Sequence, residues 1–280
     1  MLPSFETDTD LASVKLIACD MDLTLLADDG SMPPHMAERI RALDAAGITF
    51  CAASGRPSYT LCDMFPEVHH LMGLIADNGG AIFDKDVLID KSLIDVDAYR
   101  ELVGFTARDG RGCSCVCGID TCYLSRKDER FEPYFKIFYT SRIYVDDLTA
   151  VSADVNKYTV YFPDNNSEEV FAEAYGPTWS DRFSVTNAGK QWIDFMNKGV
   201  NKGSGLRGLC AHLGINPADA IAIGDTYNDI QMLEAAGHGY VVANAEEHMH
   251  AHGTHLVPSN NDRGVAQVID AVLAAVASSR

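Results

Sequence analysis

The strongest constraint on this chain is a rhythm. Short apolar runs that close on polar loops alternate with helical stretches at both ends, and the rhythm lapses between residues 81 and 196. Residues 14–19 form an apolar run with little alternation, as a strand buried on both faces requires. Pro33 and Pro34 mark a helix start. Met36, Ile40 and Leu43 then recur at helical spacing over 35–46, and Gly47 ends the helix. A second run, 48–53, stops at Ser54-Gly55-Arg56-Pro57, and a helix is predicted over 58–65. A third strand, 73–76, ends in Asp77-Asn78-Gly79-Gly80. Strand, helix, strand, helix, strand predicts a parallel sheet with right-handed crossovers.

The middle reads differently. Residues 81–94 predict a hairpin around Asp84-Lys85-Asp86, 97–108 a helix, and 112–125 a strand-like stretch turning at 118–120. A strand at 158–162 and a helix at 167–175, closed by Gly176-Pro177, follow. A second hairpin pairs 183–186 with 191–196 around Asn187-Ala188-Gly189. The parallel rhythm returns at Lys202. A helix over 203–213 ends at Gly214, a strand over 220–223 ends at Gly224-Asp225, and a helix over 229–236 closes at Gly237. A strand over 239–243 and an amphipathic helix over 263–276 complete the chain. The prediction is an α/β fold: a doubly wound parallel sheet from residues 1–83 and 196–280, interrupted by an α+β cap over 84–195. The acidic start, MLPSFETDTDLAS, reads as a disordered arm rather than a secretory signal, and its Asp8-Thr9-Asp10 resembles a metal loop only superficially.

Charge narrows the function. The chain has 22 Lys plus Arg against 40 Asp plus Glu, a formal net charge of −18. That argues against nucleic acid and against anionic membranes, whose binding rests on cationic contacts. No apolar run is long enough for a transmembrane helix. Eight cysteines without an export signal read as reduced thiols of a cytoplasmic protein.

In open parallel sheets, sites form beyond the carboxyl ends of the strands. Three predicted strands end there in polar residues: Asp20 with Asp22, Ser54 with Gly55 and Arg56, and Gly224 with Asp225. Lys202 starts a helix, where a cation conflicts with the helix dipole and a bound anion would resolve the conflict. Carboxylates that need a cation therefore accompany donors that need an anion, and a divalent metal with a phosphate satisfies both. Any one of these residues alone has a plainer use: a solvated strand end for Asp20 and Asp22, a turn or cap for Ser54, Asp225, Asn228 and Asp229, a surface lysine for Lys202. Their coincidence at matching strand ends argues against those uses.

The four segments resemble the four motifs of the haloacid dehalogenase superfamily of phosphatases. DMDLT is similar to its Asp-x-Asp-x-Thr motif, AASGRP carries the second-motif Ser and NKGSGL the third-motif Lys. GDTYNDIQMLEAAG resembles the fourth motif of the Cof-type subgroup, which has a C2-type cap, and DNGG and SNNDRGVA also fit that subgroup. The likeness runs in order from about Val14 to the end of the chain. It implies that Asp20 is a nucleophile forming an aspartyl-phosphate and that Asp22 is general acid and then base. It implies Mg2+ on the Asp20 carboxylate, the Asp22 main-chain carbonyl and Asp225, with Asp229 binding through water or orienting Lys202. Ser54, Gly55 and Lys202 would hold phosphate oxygens, Asn228 would touch the phosphate or steady the metal loop, and Arg56 would contact substrate. The neighbouring carboxylate is expected to help keep Asp22 protonated for the first step. The implied partner is a small phosphorylated metabolite, such as a sugar phosphate or phosphorylated cofactor, and the implied assembly a monomer or homodimer. Phosphomutase or phosphotransferase chemistry on the same scaffold, or non-catalytic binding of a phosphometabolite, are the alternatives. One departure is visible: Leu23 stands where many Cof-type members have Gly.

Two further clusters attract attention. Cys113, Cys115, Cys117 and Cys122 read as a packed or cap-surface thiol row rather than a zinc site, which more often uses paired Cys-x2-Cys loops. His248, His250, His252 and His255 read as a solvated edge, with His248 and His252 on one helix face.

Overall fold

The computed structural model describes residues 2–187 and 189–279. The first part of the chain forms β1 (Leu16–Cys19), α1 (Met36–Ala46), β2 (Thr49–Ala53), α2 (Ser58–Met64), β3 (Gly73–Ala76), β4 (Ala81–Asp84) and β5 (Val87–Lys91). The middle forms α3 (Val96–Asp109), β6 (Cys113–Gly118), β7 (Cys122–Ser125), α4 (Glu132–Phe138), β8 (Arg142–Val145) and β9 (Val155–Tyr161). It continues through α5 (Ser167–Val170), α6 (Gly176–Trp179), β10 (Phe183–Asn187) and β11 (Trp192–Asn197). The last part forms α7 (Lys202–Leu213), β12 (Ala220–Gly224), α8 (Ile230–Ala235), β13 (His238–Val242), β14 (His255–Val257) and α9 (Gly264–Ser279).

Two sheets result. The first has the order β14-β13-β12-β1-β2-β3-β4-β5. Its strands run parallel from β14 to β3, and β4 and β5 add an antiparallel edge. β1 shows why its run does not alternate in polarity. Ile17 and Cys19 pack among Met36, Ile40, Leu61 and Val268 of α1, α2 and α9. Leu16 and Ala18 pack among Leu206, Leu209 and Met232 of α7 and α8 on the opposite face. Both faces are covered, so both sets of side chains are apolar. The fold is the doubly wound α/β sheet expected, with a second α+β unit inserted.

The second sheet has the order β10-β11-β9-β6-β7-β8 and is antiparallel except for β7 beside β8. One face is covered by α3, α5 and α6 through Tyr99, Leu102, Val170 and Trp179. On the other face Cys115, Cys117 and Tyr161 cluster with Phe135 and Tyr139 from α4 and its end, and part of that face looks onto the carboxyl ends of the first sheet's strands. The hairpin predicted over 81–94 lies in the first sheet, so that sheet reaches past residue 84, where the change of rhythm set the boundary.

The N-terminal arm is ordered, contrary to the expectation. Phe5 and Leu11 are buried, and the Leu256 amide donates to the Pro3 carbonyl at 2.8 Å. Asp8 accepts from Tyr240 Oη at 2.7 Å and pairs with His238 Nδ1 at 2.6 Å. Two apolar anchors and one satisfied acid hold a segment whose composition looked solvated. The helix expected to stop at Gly176-Pro177 continues to Trp179. A π-type turn over Phe171–Tyr175 widens it, and Pro177 falls in the first turn of the next segment, where a missing N–H is tolerated. Ala188, in the predicted second hairpin turn, lies outside the described residues.

Candidate active site

β1 delivers Asp20 to its carboxyl end, and the Asp20 amide donates to the Ile223 carbonyl of β12 at 2.9 Å. The chain then makes a wide turn over Met21–Leu25, with Leu23 in the left-handed region at φ 62°. Glycine adopts that conformation without strain, so the Gly expected at this position from the resemblance to Cof-type members would fit the turn. Asn244 Nδ2 donates to the Leu23 carbonyl at 2.7 Å, and Thr24 Oγ1 donates to Asp225 Oδ1 at 2.8 Å.

α7 begins with Asn201 capping the Ser204 amide and Ser204 Oγ accepting from the Asn201 amide. Lys202, its first residue, is fully buried. Its Nζ donates to Asp20 Oδ1 at 2.5 Å and to Asp229 Oδ1 at 2.7 Å. The conflict between a lysine and a helix N-terminus is thus settled by two carboxylates. Asp229 Oδ2 accepts from the amides of Asp225 and Thr226 at 3.1 and 3.2 Å, so both of its oxygens are engaged. This approach is close: a Cβ on Gly224 would stand 2.5 Å from the Asp229 side chain.

Asp20, Asp225 and Asp229 each place a carboxylate oxygen within 4.8 Å of the others. Burial raises the Asp20 carboxyl well above its ordinary range, and Asp229, Asp225 and Asp22 add to the rise against the pull of Lys202. Burial, then Asp229, push the Asp225 carboxyl up to about 7. Burial opposes the charge on Lys202, but Asp20 and Asp229 outweigh it and raise its pKa. Three acids around one ammonium leave a surplus of buried negative charge. An all-oxygen donor set with that surplus fits a hard divalent cation.

The second polar strand end lies beside this cluster. The Ser54 amide donates to the Ile75 carbonyl at 2.9 Å and the Ser54 carbonyl accepts from the Asn78 amide at 2.9 Å. Ser54 Oγ accepts from the Arg56 amide at 3.1 Å. Arg56 forks onto Asp22, Nε to Oδ2 at 2.9 Å and Nη2 to Oδ1 at 2.7 Å. Its Nη1 donates to the Ile137 carbonyl at 2.6 Å, and its guanidinium lies 4.6 Å from the Phe138 ring centroid. Asn228 Nδ2 donates to Asn78 Oδ1 at 3.1 Å, while Asn228 Oδ1 is buried without a hydrogen-bond partner. Asp20, Asp22, Ser54, Gly55, Arg56, Asp225 and Asn228 line one cavity of about 250 Å³, and Lys202 and Asp229 are buried behind Asp20. All nine residues singled out in the sequence therefore meet in one place.

The opposite wall of the cavity was not anticipated. It comes from the second unit: Phe138 and Tyr139 at the end of α4, and Lys157, Trp192 and Asp194 from the second sheet. Lys157 sits in VNKYTVY and Asp194 in WIDFMN, both runs largely buried. A charge inside such a run was the available signal, because a buried charge needs a partner. α4, which supplies Phe138, gave no helical signal of its own over so few residues.

The remaining clusters do not join the site. Cys113, Cys115, Cys117 and Cys122 are buried in an apolar cluster, with 4.0 Å between the Cys117 and Cys122 sulfurs. The eight cysteines are free. The histidine segment is a 3-10 turn over Glu247–His252 rather than an α-helix, so residues four apart do not share a face. His248 stacks on Tyr227 at 4.5 Å between ring centroids, and His252 pairs with Glu234 at 2.7 Å. Among the described residues the other group with metal-competent spacing is Cys62, His69 and Asp86. There a 2.7 Å hydrogen bond between His69 and Asp86 accounts for the approach.

No helix is long and apolar enough to cross a membrane among the described residues. A sequence profile of haloacid dehalogenase-like hydrolases matches residues 17–269. The chain is 30% identical over 266 residues to the 5-amino-6-(5-phospho-D-ribitylamino)uracil phosphatase YbjI of Escherichia coli, covering 93% of this chain and 97% of that protein. It is 25% identical to the Bacillus subtilis phosphatase of the same description, YwtE, over 93% of this chain and 98% of that one. Among solved structures, SMU.1108c of Streptococcus mutans superposes with a TM-score of 0.85 at 27% identity, over 93% of this chain and 99% of that one. The chain belongs to the haloacid dehalogenase-like hydrolase family, and it is a phosphatase of that family.

Proposed function

We propose that this haloacid dehalogenase-like phosphatase hydrolyses small phosphomonoesters with Mg2+, using Asp20 as nucleophile and Asp22 as general acid and base. The observation that carries this reading is the meeting of Asp20, Asp225, Asp229 and Lys202 with the Ser54-Gly55 loop at one cavity.

The Asp20 oxygen not engaged by Lys202 attacks phosphorus in line, and the P–O bond to the leaving group breaks as the Asp–O–P bond forms. Asp22 gives its proton to the departing oxygen, then takes one from the water that cleaves the acyl phosphate and restores Asp20. Lys202, the Ser54 hydroxyl and the Gly55 amide hold the non-bridging phosphate oxygens, and Asn228 lies beside them. Asp20, Asp225 and the Asp22 carbonyl would hold Mg2+, with Asp229 fixing Lys202, and the ion when bound would supply charge neutralisation and orientation. Arg56 aims Asp22 at the cavity. Both Asp22 oxygens accept from it, so one must leave the fork before the carboxyl can deliver a proton.

Two observations support a ring-bearing polyol phosphate as substrate class. The Escherichia coli and Bacillus subtilis relatives are described as phosphatases of a ribitylaminouracil phosphate. The cavity wall of Phe138, Tyr139 and Trp192, with Leu23 at its edge, suits a flat ring. The test is a panel of phosphomonoesters with Mg2+, including phosphorylated ribitylaminopyrimidines and hexose phosphates, following both free phosphate and isomerised ester. Phosphate release that stops with EDTA and is fastest on the ring-bearing ester is the expected result. Isomer without phosphate release would point to a mutase and overturn the proposal.

A further inference from the structure

The mechanism above leaves unused a second fully buried lysine, where the two sheets meet. Lys157, in the middle of β9, donates through Nζ to the Gly55 carbonyl. It lies 3.4 Å from Asp77 and 3.9 Å from Asp194. These carboxylates are held in turn: Asn156 Nδ2 donates to Asp77 at 2.7 Å, and Asp194 accepts from Thr159 Oγ1 at 2.8 Å and Asn78 Nδ2 at 2.7 Å. Lys157 and Asp194 belong to the second sheet, whereas Gly55, Asp77 and Asn78 follow β2 and β3 of the first.

The bond to the Gly55 carbonyl has a specific consequence. It fixes the peptide plane whose other end is the Arg56 N–H, and that N–H holds Ser54 Oγ at 3.1 Å. Asp194 acts on the same loop from the side. A Cβ on Gly55 would stand 3.3 Å from Asp194 Oδ2 and 3.4 Å from Asn78 Nδ2, so the two side chains clasp the Gly55 backbone. Asn78 also takes the bond from Asn228. A methionine would fill the Lys157 site without a buried charge. An ammonium there, at the desolvation cost it carries, is useful only for what it holds.

We propose that Lys157 and Asp194 are positioning residues, borne by the second sheet, that set the Ser54-Gly55 loop and Asn228 for phosphate only when that sheet is seated on the first. Seating and assembly of the phosphate site are then one event. This rests on the phosphatase reading for the role of Ser54, Gly55 and Asn228, and it adds two residues and a coupling which that reading does not contain.

The test is binding of orthovanadate with Mg2+ by titration calorimetry to the full chain and to Lys157→Met, Lys157→Arg and Thr60→Val. Thr60 Oγ1 bonds the second unit, donating to the Phe138 carbonyl at 2.9 Å and accepting from the Thr140 amide at 3.2 Å, rather than the phosphate loop. Losing a charged hydrogen bond to the loop is expected to weaken vanadate about tenfold to a hundredfold in Lys157→Met. Lys157→Arg should recover most of the loss, and Thr60→Val should stay within about twofold of wild type. Lys157→Met that melts earlier yet binds vanadate like wild type has only a structural lysine, and the proposal falls. Thr60→Val weakened as much as Lys157→Met would also overturn it, since docking in general would then be responsible. A wild-type chain that neither binds vanadate nor releases phosphate from any ester overturns the phosphatase reading itself, and this proposal with it.

Discussion

Lys202 and Lys157 are both buried and each stands between two aspartates, yet those aspartates come from different places. Lys202 takes Asp20, the proposed nucleophile at the end of β1, and Asp229, just before α8, both from the first unit. Lys157 takes Asp77 from the first sheet and Asp194 from the second, and spends a hydrogen bond on a main-chain carbonyl between them. In both, burial works against the charge and the carboxylates outweigh it, raising the pKa. The proposals give the same electrostatic solution to chemistry at one site and to assembly at the other. The proposed reactive acids and Lys202 all come from the first unit, whereas the Ser54-Gly55 loop is held from outside it by Lys157 and Asp194.

The largest expected effect separates the two lysines. Lys202→Met leaves Asp20 and Asp229 without their cation, and turnover is expected to fall by about a thousandfold. Chemical denaturation should show a loss of roughly 3–5 kcal/mol. Lys157→Met should lose stability on a similar scale but turnover only about tenfold to a hundredfold. Equal losses of turnover would break the distinction between them.

Two of the cavity acids, one from each unit, give a second contrast. Asp22→Asn should slow hydrolysis of an alkyl phosphate on the order of a hundredfold or more, and much less for p-nitrophenyl phosphate, whose leaving group needs no proton. Asp194→Asn should slow both esters by the same factor. Steady-state rates on the two esters check this, and a leaving-group dependence in Asp194→Asn would contradict it.

Proton linkage gives a smaller effect confined to the first sheet. The Asp225 carboxyl is raised from its ordinary 3.8 to about 7. Between these values the metal-free fold binds a proton that the unfolded chain has released. This site's contribution therefore makes stability fall as pH rises from about 4 to about 7. Mg2+ at the proposed site would compete with that proton, so the rise in melting temperature on adding Mg2+ should grow across the same window. Thermal melts with and without Mg2+ at several pH values check the sign, and a Mg2+ effect that shrinks with rising pH would contradict it.

The smallest effect concerns Leu23, held at φ 62°. Leu23→Gly removes a left-handed leucine but loosens the unfolded chain, for a net gain of about 0.5–1 kcal/mol in urea unfolding. A loss of stability would show that packing of the leucine outweighs its backbone strain.

The first sheet's half of this contrast was readable in the sequence. β1, β2, β3 and β12 are short apolar runs, and the polar residue ending each falls where the sheet topology must place it. Lys202 announced itself as a misplaced cation at a helix start. The second sheet's half was not. Lys157 and Asp194 lie far apart in the chain, and nothing in their spacing shows that β9 and β11 pair with Thr159 opposite Asp194. α4 is too short to show a period, so Phe138 and the Arg56 contact at Ile137 were invisible. The N-terminal arm misled through composition: its acids suggested solvent, but Asp8 has Tyr240 and His238 as partners, and no local pattern reveals partners so distant.

The central claim is that Asp20 is the group that attacks phosphorus. Its most direct test is phosphate release with Mg2+ by wild type and Asp20→Asn, each confirmed folded by circular dichroism and melting. Turnover should fall by at least about a thousandfold, with the metal-free melting temperature unchanged or higher, because a crowded buried carboxyl has been made neutral. A folded Asp20→Asn that releases phosphate at the wild-type rate would contradict the account.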